Sequence, residues 1–334
     1  MGFTPGIDVS RRLYAELVAP ALTALPHAAG RVDSGSDVLG FDTERSMDHD
    51  WGPRLQVFVA DRAARVIAEN AIVLPPTFHG IPTSGGGEQI GVKVEILADY
   101  LVPLRTESAG DWLALPTQRL AEFTGGAVFH DDLGLDAARR RLRWYPDDVW
   151  RHVLAAQWTR IDQEEPFVGR CGELGDDLGS RIVAARLARD LMRLFLLLER
   201  RYPPYAKWIG TAFARLENGP HEALAGALAA ADWRDRERHL VAAASAAGER
   251  TNEVFGTTVD PAPRPFHDRP IMVVGGARFA EALVATIADP ALRARPLTGA
   301  VDQWVDSTDV LSHVGRARAA ARGLDGAESR PNDR

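Results

Sequence analysis

The stretch VDSGSDVLGFDTERSMDHDW, residues 32–51, sets a Gly-Ser pair (Gly35, Ser36) about a dozen residues ahead of two aspartates separated by one residue (Asp48, Asp50). A strand repeats every two residues, so on a strand Asp48 and Asp50 project from one face and can share a divalent cation. Magnesium prefers a few carboxylates together with substrate phosphate oxygens. Gly35 lets a phosphate approach the backbone closely, and Ser36 offers a hydroxyl and an amide at what would be a helix N-terminus. The two halves together read as a site for a nucleoside triphosphate. On a regular strand His49 faces away from both acids. Arg54, four residues beyond Asp50, is placed either to grip a phosphate through two hydrogen bonds or to sit as a surface arginine after a turn.

Outward from this stretch, the N-terminal third reads as α/β. Leu13, Leu17, Leu22 and Leu25 recur at near-helical spacing behind a possible Ser10 cap, which predicts an amphipathic helix over 10–25. GRVDSGS reads as a short strand running into a tight turn. RLQVFVAD (54–61) and GVKVEILADY (91–100) alternate as strands do. In the second, Lys93 and Glu95 share one face, while Val92, Val94 and Ile96 share the apolar one. Past about residue 110 the texture becomes Ala-, Leu- and Arg-rich and periodic. Helices are predicted over 147–162, 178–201, 218–232 and 233–255, with Leu178, Ile182, Leu187, Leu191, Leu194 and Leu198 forming a broad apolar face on the second. A proline-rich connector leads to a short strand, IMVV (271–274), and a last helix over 277–287. The expected organisation is α+β. A catalytic α/β domain with a mixed sheet spans 1–110, a mainly helical bundle 111–322, and a polar disordered tail 323–334.

Composition narrows the class. The 334 residues are 46% hydrophobic and carry a net charge of −7, which suits a soluble protein and argues against general nucleic-acid binding. Cys171, the single cysteine, excludes an intramolecular disulfide and a multi-cysteine zinc site. No apolar run approaches the about 20 residues that span a bilayer, and the N-terminus lacks the order of a secretion signal, so a cytoplasmic protein without membrane attachment is expected. Near the middle of the helical part, Lys207 in YPPYAKW lies among Tyr202, Tyr205 and Trp208. It either approaches nucleotide phosphates or opens a helix beside a core aromatic cluster.

The Gly-Ser turn followed by an acidic-x-acidic pair resembles the nucleotidyltransferase superfamily, and the α/β-then-helical layout is similar to that of antibiotic nucleotidyltransferases. SGSDVLGFDTERSMDHDWGPR (34–54), RYPPYAKWIGTAF (201–213) and GAVDQWVDSTDVLS (299–312) resemble a bacterial family known as the domain of unknown function DUF4037. The resemblance implies an ATP- and magnesium-dependent transferase. Gly35 and Ser36 would seat the β- and γ-phosphates, with Arg54 and Lys207 as further nucleotide contacts, and Asp48 and Asp50 would hold metal. A third carboxylate on a later strand is implied as well: Glu95 is the first candidate and Asp99 the second. The implied reaction moves AMP from ATP to a hydroxyl of an unidentified small-molecule or protein acceptor, and pyrophosphate leaves. His49 stands where the superfamily carries an apolar residue, which keeps open a rival reading as a nucleotide-binding or interaction protein that retains the fold without turnover.

Overall fold

The computed structural model of the chain describes residues 2–48, 51–84 and 90–328. Two compact units divide it: one holds the chain up to Glu107 together with Gln118–Arg143 and Ser312–Gly315, the other Ser108–Thr117, Trp144–Leu311 and the chain from Arg316 on. The architecture is mixed α+β, with the main sheet in the first unit and the second built largely of helices.

The strands are β1 (Ala28–Arg31), β2 (Arg54–Val59), β3 (Thr77–Phe78), β4 (Ile81–Pro82), β5 (Gly91–Ile96), β6 (Ala127–Asp131), β7 (Arg264–Pro265) and β8 (Met272–Val273). Four of them make the sheet β5-β2-β1-β6, while β3-β4 and β7-β8 are separate two-stranded ribbons. β1 runs antiparallel to both β2 and β6, and β2 runs parallel to β5. The register sorts the side chains. Leu55, Val57 and Val59 of β2 share a face with Val92, Val94 and Ile96 of β5, and that face packs with Leu13, Val18 and Leu22 from the N-terminal helical segment. Burial of this aliphatic layer, worth about 1.5–3 kcal/mol per large side chain, fixes which face of β2 and β5 is left for polar residues. That polar face carries Arg54, Gln56, Lys93 and Glu95.

Several details depart from the sequence-based expectations. The N-terminal helix starts at Gly6 rather than behind Ser10; Ser10 lies inside it, buried, with its hydroxyl donating to the Gly6 carbonyl. It then widens into a π-helical turn over Tyr14–Val18. β6 follows the Ala-rich change of texture near residue 110, and its pairing with β1 draws 118–143 into the first unit. Asp147–Glu164, Asp177–Leu198 and Trp233–Phe255 form the long helices of the second unit, close to the expected spans. Leu178 and Ile182 are exposed, however, and only from Ala184 onward does the Asp177–Leu198 helix bury its apolar face. The helix Ala277–Ala285 is not the last, since further helices follow it, ending with Val314–Glu328. Residues 323–328 of the expected disordered tail are therefore helical, and 329–334 lie outside the described residues. Among the described residues no helix is long and apolar enough to cross a membrane.

The candidate site on the polar face of the sheet

The chain leaves β1 through a turn held from inside by a buried ion pair. Arg31, fully buried, donates from Nε to Asp37 Oδ2 at 2.8 Å and from Nη2 to Asp37 Oδ1 at 2.9 Å, and it also donates to the Val32 and Ser34 carbonyls. A guanidinium removed from water needs such a set of acceptors, and here it converts them into a brace that curls residues 32–37 around its own plane. Gly35 sits at the centre with φ +149°. A Cβ there would fall 2.2 Å from Asp37 Oδ1 and 2.3 Å from Arg31 Nη2, so glycine is demanded by both backbone and space. Two further bonds tie the turn to the polar face: Val32 N–H donates to Gln56 Oε1 at 3.1 Å, and Arg54 Nη2 donates to the Ser34 carbonyl at 3.4 Å. Beyond Gly35 the chain makes successive turns (Leu39 N–H to Gly35 O, Gly40 N–H to Asp37 O, Phe41 N–H to Ser36 O). Ser36 therefore lies in a run of turns, not at the N-terminus of an α-helix. Arg54 is almost wholly buried against this turn, not on the surface.

The acids are distributed differently from the expected strand. Asp48 ends a 3₁₀ helix, Glu44–Asp48, and β2 begins only at Arg54, so Asp48 is not a strand residue. The two-residue period that put Asp48 and Asp50 on one face thus does not apply. Asp50, together with His49, lies outside the described residues. Glu95 is opposite Phe58 in the parallel β2–β5 register and lies on the face that carries Arg54 and Gln56. Its Oε1 pairs with Lys93 Nζ at 3.0 Å, whereas its Oε2 is buried with no hydrogen-bond partner among the described residues. β5 stops at Ile96 and the chain turns helical over Leu97–Leu101. Asp99 is therefore a helix residue without a strand face.

Beside these residues lies a cluster that no spacing in the sequence announces. Asp33, in the turn with φ +82°, accepts from Arg119 Nη1 at 2.6 Å, and Arg119 also pairs with Glu122 one helical turn on. Gln118 donates to the other Glu122 oxygen at 2.7 Å. Burial raises the Glu122 pKa, and Arg119 and Gln118 pull it only part of the way back. Burial opposes the Arg119 charge, but Asp33 and Glu122 outweigh it and raise the Arg119 pKa. Tyr100 lies between Phe58 and Phe123, with ring centroids 4.8 and 6.0 Å away. Its hydroxyl ionises far less readily than usual, through burial first and then through the charges of Asp33, Glu95 and Glu122. Asp33, Glu95 and Glu122 therefore act on one buried phenol, and the cations Arg119, Lys93 and Arg54 lie on the same side of the sheet.

Lys207 belongs to the second unit. It is exposed in the first turn of the helix Ala206–Ala214, with Nζ 4.9 Å from the Trp208 ring. Tyr202 packs against Trp144 and Tyr145 at 4.7 and 5.2 Å, the core aromatic cluster that the sequence left open as an alternative.

Comparison with known proteins agrees with the family resemblance over part of the chain. The family described as Domain of unknown function (DUF4037) matches residues 112–209, a span that does not include the Gly-Ser turn or Glu95. A search of curated proteins finds no match. Among solved structures, a nucleotidyltransferase-like protein from Exiguobacterium sibiricum 255-15 is similar, with 14% identity, 78% of this chain and 83% of that chain covered, and a TM-score of 0.32.

Proposed function

We propose that this protein is a metal-dependent nucleotidyltransferase that moves AMP from ATP to a hydroxyl of an acceptor and releases pyrophosphate. The observation that carries the reading is the buried Oε2 of Glu95, which has no hydrogen-bond partner among the described residues. It sits on the polar sheet face that also holds the glycine-demanding turn. A carboxylate oxygen shut away from water without a donor is costly unless something positive meets it. In this reading Asp48, Asp50 and Glu95 hold Mg²⁺, which when bound would neutralise the triphosphate. The amides around Gly35 and Ser36 donate to the β- and γ-phosphate oxygens, and the Arg31–Asp37 brace keeps those amides in place before the nucleotide arrives. Arg54 acts on the phosphates through the Ser34 backbone it supports. The acceptor hydroxyl attacks the α-phosphorus in line; its proton passes to solvent or a neighbouring carboxylate while pyrophosphate leaves. Positioning and charge neutralisation supply most of the acceleration.

Incubation of the full chain with ATP, Mg²⁺ and candidate hydroxyl compounds should release pyrophosphate, and chelation should stop it. Asp48→Asn and Asp50→Asn should each remove that turnover while leaving the fold intact. Saturable ATP binding with no pyrophosphate under any acceptor would favour the non-catalytic nucleotide binder, and release of phosphate or ADP would point to a different enzyme class. Within the active protein, Glu95→Gln should lower the maximal rate by about 10²-fold with little change in ATP affinity, because its charge matters most when the transition state forms. Asp99→Asn, on the following helix, should do much less. Single-turnover rates ranked the other way would transfer the role to Asp99.

A further inference from the structure

We infer that His27, His130 and Asp132 form a second metal site, separate from the nucleotide site proposed above, suited to a divalent transition ion of the zinc type. One ligand atom from each of the three residues lies within 4.8 Å of the other two. Strand pairing holds the three together. His27 immediately precedes β1, His130 lies in β6 opposite Ala29, and Asp132 follows β6 with its N–H donating to the His27 carbonyl at 3.0 Å. The His27 N–H in turn reaches Asp132 Oδ2 at 3.4 Å. Residues 105 apart in the chain thus present their side chains from one end of a β-ladder, with little left to organise when an ion arrives.

The ring nitrogens of His27 are already sorted for ligation. Nδ1 lies 2.7 Å from the Leu25 carbonyl and must carry the proton to bond it, which leaves the lone pair on Nε2. A backbone carbonyl holding one ring nitrogen so that the other faces the metal is the usual support of a ligating histidine. Tyr14 Oη, 3.1 Å away, donates to that lone pair and would turn aside for an ion. The His27 and His130 rings have centroids 4.4 Å apart, and His130 Nε2 is 2.7 Å from Asp132 Oδ2. His130 and Asp132 are partly exposed, with side chains 36% and 47% accessible, so an ion can enter and keep water in its remaining positions. Two imidazoles and one carboxylate with an open position match zinc and its neighbours, and poorly match Mg²⁺ or Ca²⁺, which prefer oxygen.

The site lies at the start of β1, whereas the Gly-Ser turn leaves its end. Four strand residues, about 13 Å at 3.3 Å per residue, separate the two. Occupancy would clip β1 to β6 without entering the nucleotide site, so metal binding here and nucleotidyl transfer can each fail without the other.

The test uses the full chain without a histidine tag, stripped by chelator and titrated with Zn²⁺ by calorimetry, then with Co²⁺ by visible absorption. One equivalent should bind, the Co²⁺ spectrum should carry the intense d–d bands of a site with fewer than six ligands, and excess Mg²⁺ should not displace the ion. His130→Ala and Asp132→Asn, both at partly exposed positions that leave the core untouched, should each weaken Zn²⁺ binding by about 100-fold or more, since losing a mere supporting partner costs about 10–100-fold. His239→Ala, in the second unit, should bind as the natural protein does. Thermal melting should show a Zn²⁺-dependent rise in the natural protein that His130→Ala lacks. Absence of saturable binding, displacement by Mg²⁺, or unchanged affinity in both His130→Ala and Asp132→Asn would overturn the assignment.

Discussion

Asp37→Ala should destabilise the first unit by about 3–5 kcal/mol, the scale for leaving a buried charge without its partner. Arg31 is fully buried, and two of its hydrogen bonds end on the Asp37 carboxylate. After the substitution its guanidinium keeps the Val32 and Ser34 carbonyls but faces no countercharge, and water can reach it only by opening the turn. Hydrogen exchange of the β1 and β2 amides under increasing denaturant should report the loss, and nucleotide binding should fall with it. Arg31→Met combined with Asp37→Ala should recover part of the stability, because it removes the stranded charge. Recovery of stability without recovery of ATP binding would separate the brace's role in the fold from its role in shaping the phosphate turn. A single variant as stable as the natural protein would show that the pair is not what holds residues 32–37. Gly35→Ala should fail through the same atoms, with backbone strain added.

In the second unit, the half-buried Glu165 and the buried His152 should give opposite pH dependences of about 3 kcal/mol each. Burial, with Asp162 nearby, pushes the Glu165 carboxyl up to about 7 from 4.5, in an apolar cavity lined by Ile161, Leu187, Leu191 and Leu240. Its Oε2 accepts from Gly275 N–H, while Oε1 is buried without a hydrogen-bond partner among the described residues. Burial, with Arg295 nearby, pushes the His152 imidazole down to about 4 from 6.5. The signs follow from which state binds the proton. Between about pH 4.5 and 7 the folded state holds a proton on Glu165 that the unfolded chain has lost, so this group's contribution falls as pH rises. Between about pH 4 and 6.5 the unfolded chain holds a proton on His152 that the folded state refuses, so that contribution grows as pH rises. In the natural protein the two slopes oppose each other across their shared window. Relative to the natural protein, Glu165→Gln should become progressively more stable from pH 4.5 to 7. His152→Leu should gain most near pH 4 and lose that advantage by pH 6.5. Denaturant midpoints measured across this range decide the matter: parallel profiles for the natural protein and both variants would mean that neither group is held in the stated protonation state.

Neither group could be anticipated from local pattern. Glu165 follows an amphipathic run that reads plainly as a helix, but nothing adjacent to it signals the apolar wall that Leu240 supplies from a helix far along the chain. His152 reads as one more polar residue in a helix, and only packing shows that it is fully buried.

What the sequence by itself determined is whatever depends on near neighbours. Alternation over RLQVFV and GVKVEI placed β2 and β5, and it put Glu95 on the polar face, because a strand's two-residue period is a property of the backbone alone. The 3.6-residue spacing of apolar side chains likewise located the helices Asp147–Glu164, Asp177–Leu198 and Trp233–Phe255. The tertiary structure alone decided the rest. β6 is a short edge strand, partly buried along its whole length, with no alternation to read, and it exists because β1 offers it a ladder. Asp48 ends a 3₁₀ helix because β2 does not begin until Arg54, although the same residues read equally well as the start of a strand. The joining of Asp33 to Arg119 and of His27 to Asp132 follows from the order and direction of strands in the sheet. Those contacts are set by long-range pairing, whose energy is collected only when the whole aliphatic layer closes, and no window of neighbouring residues contains that information.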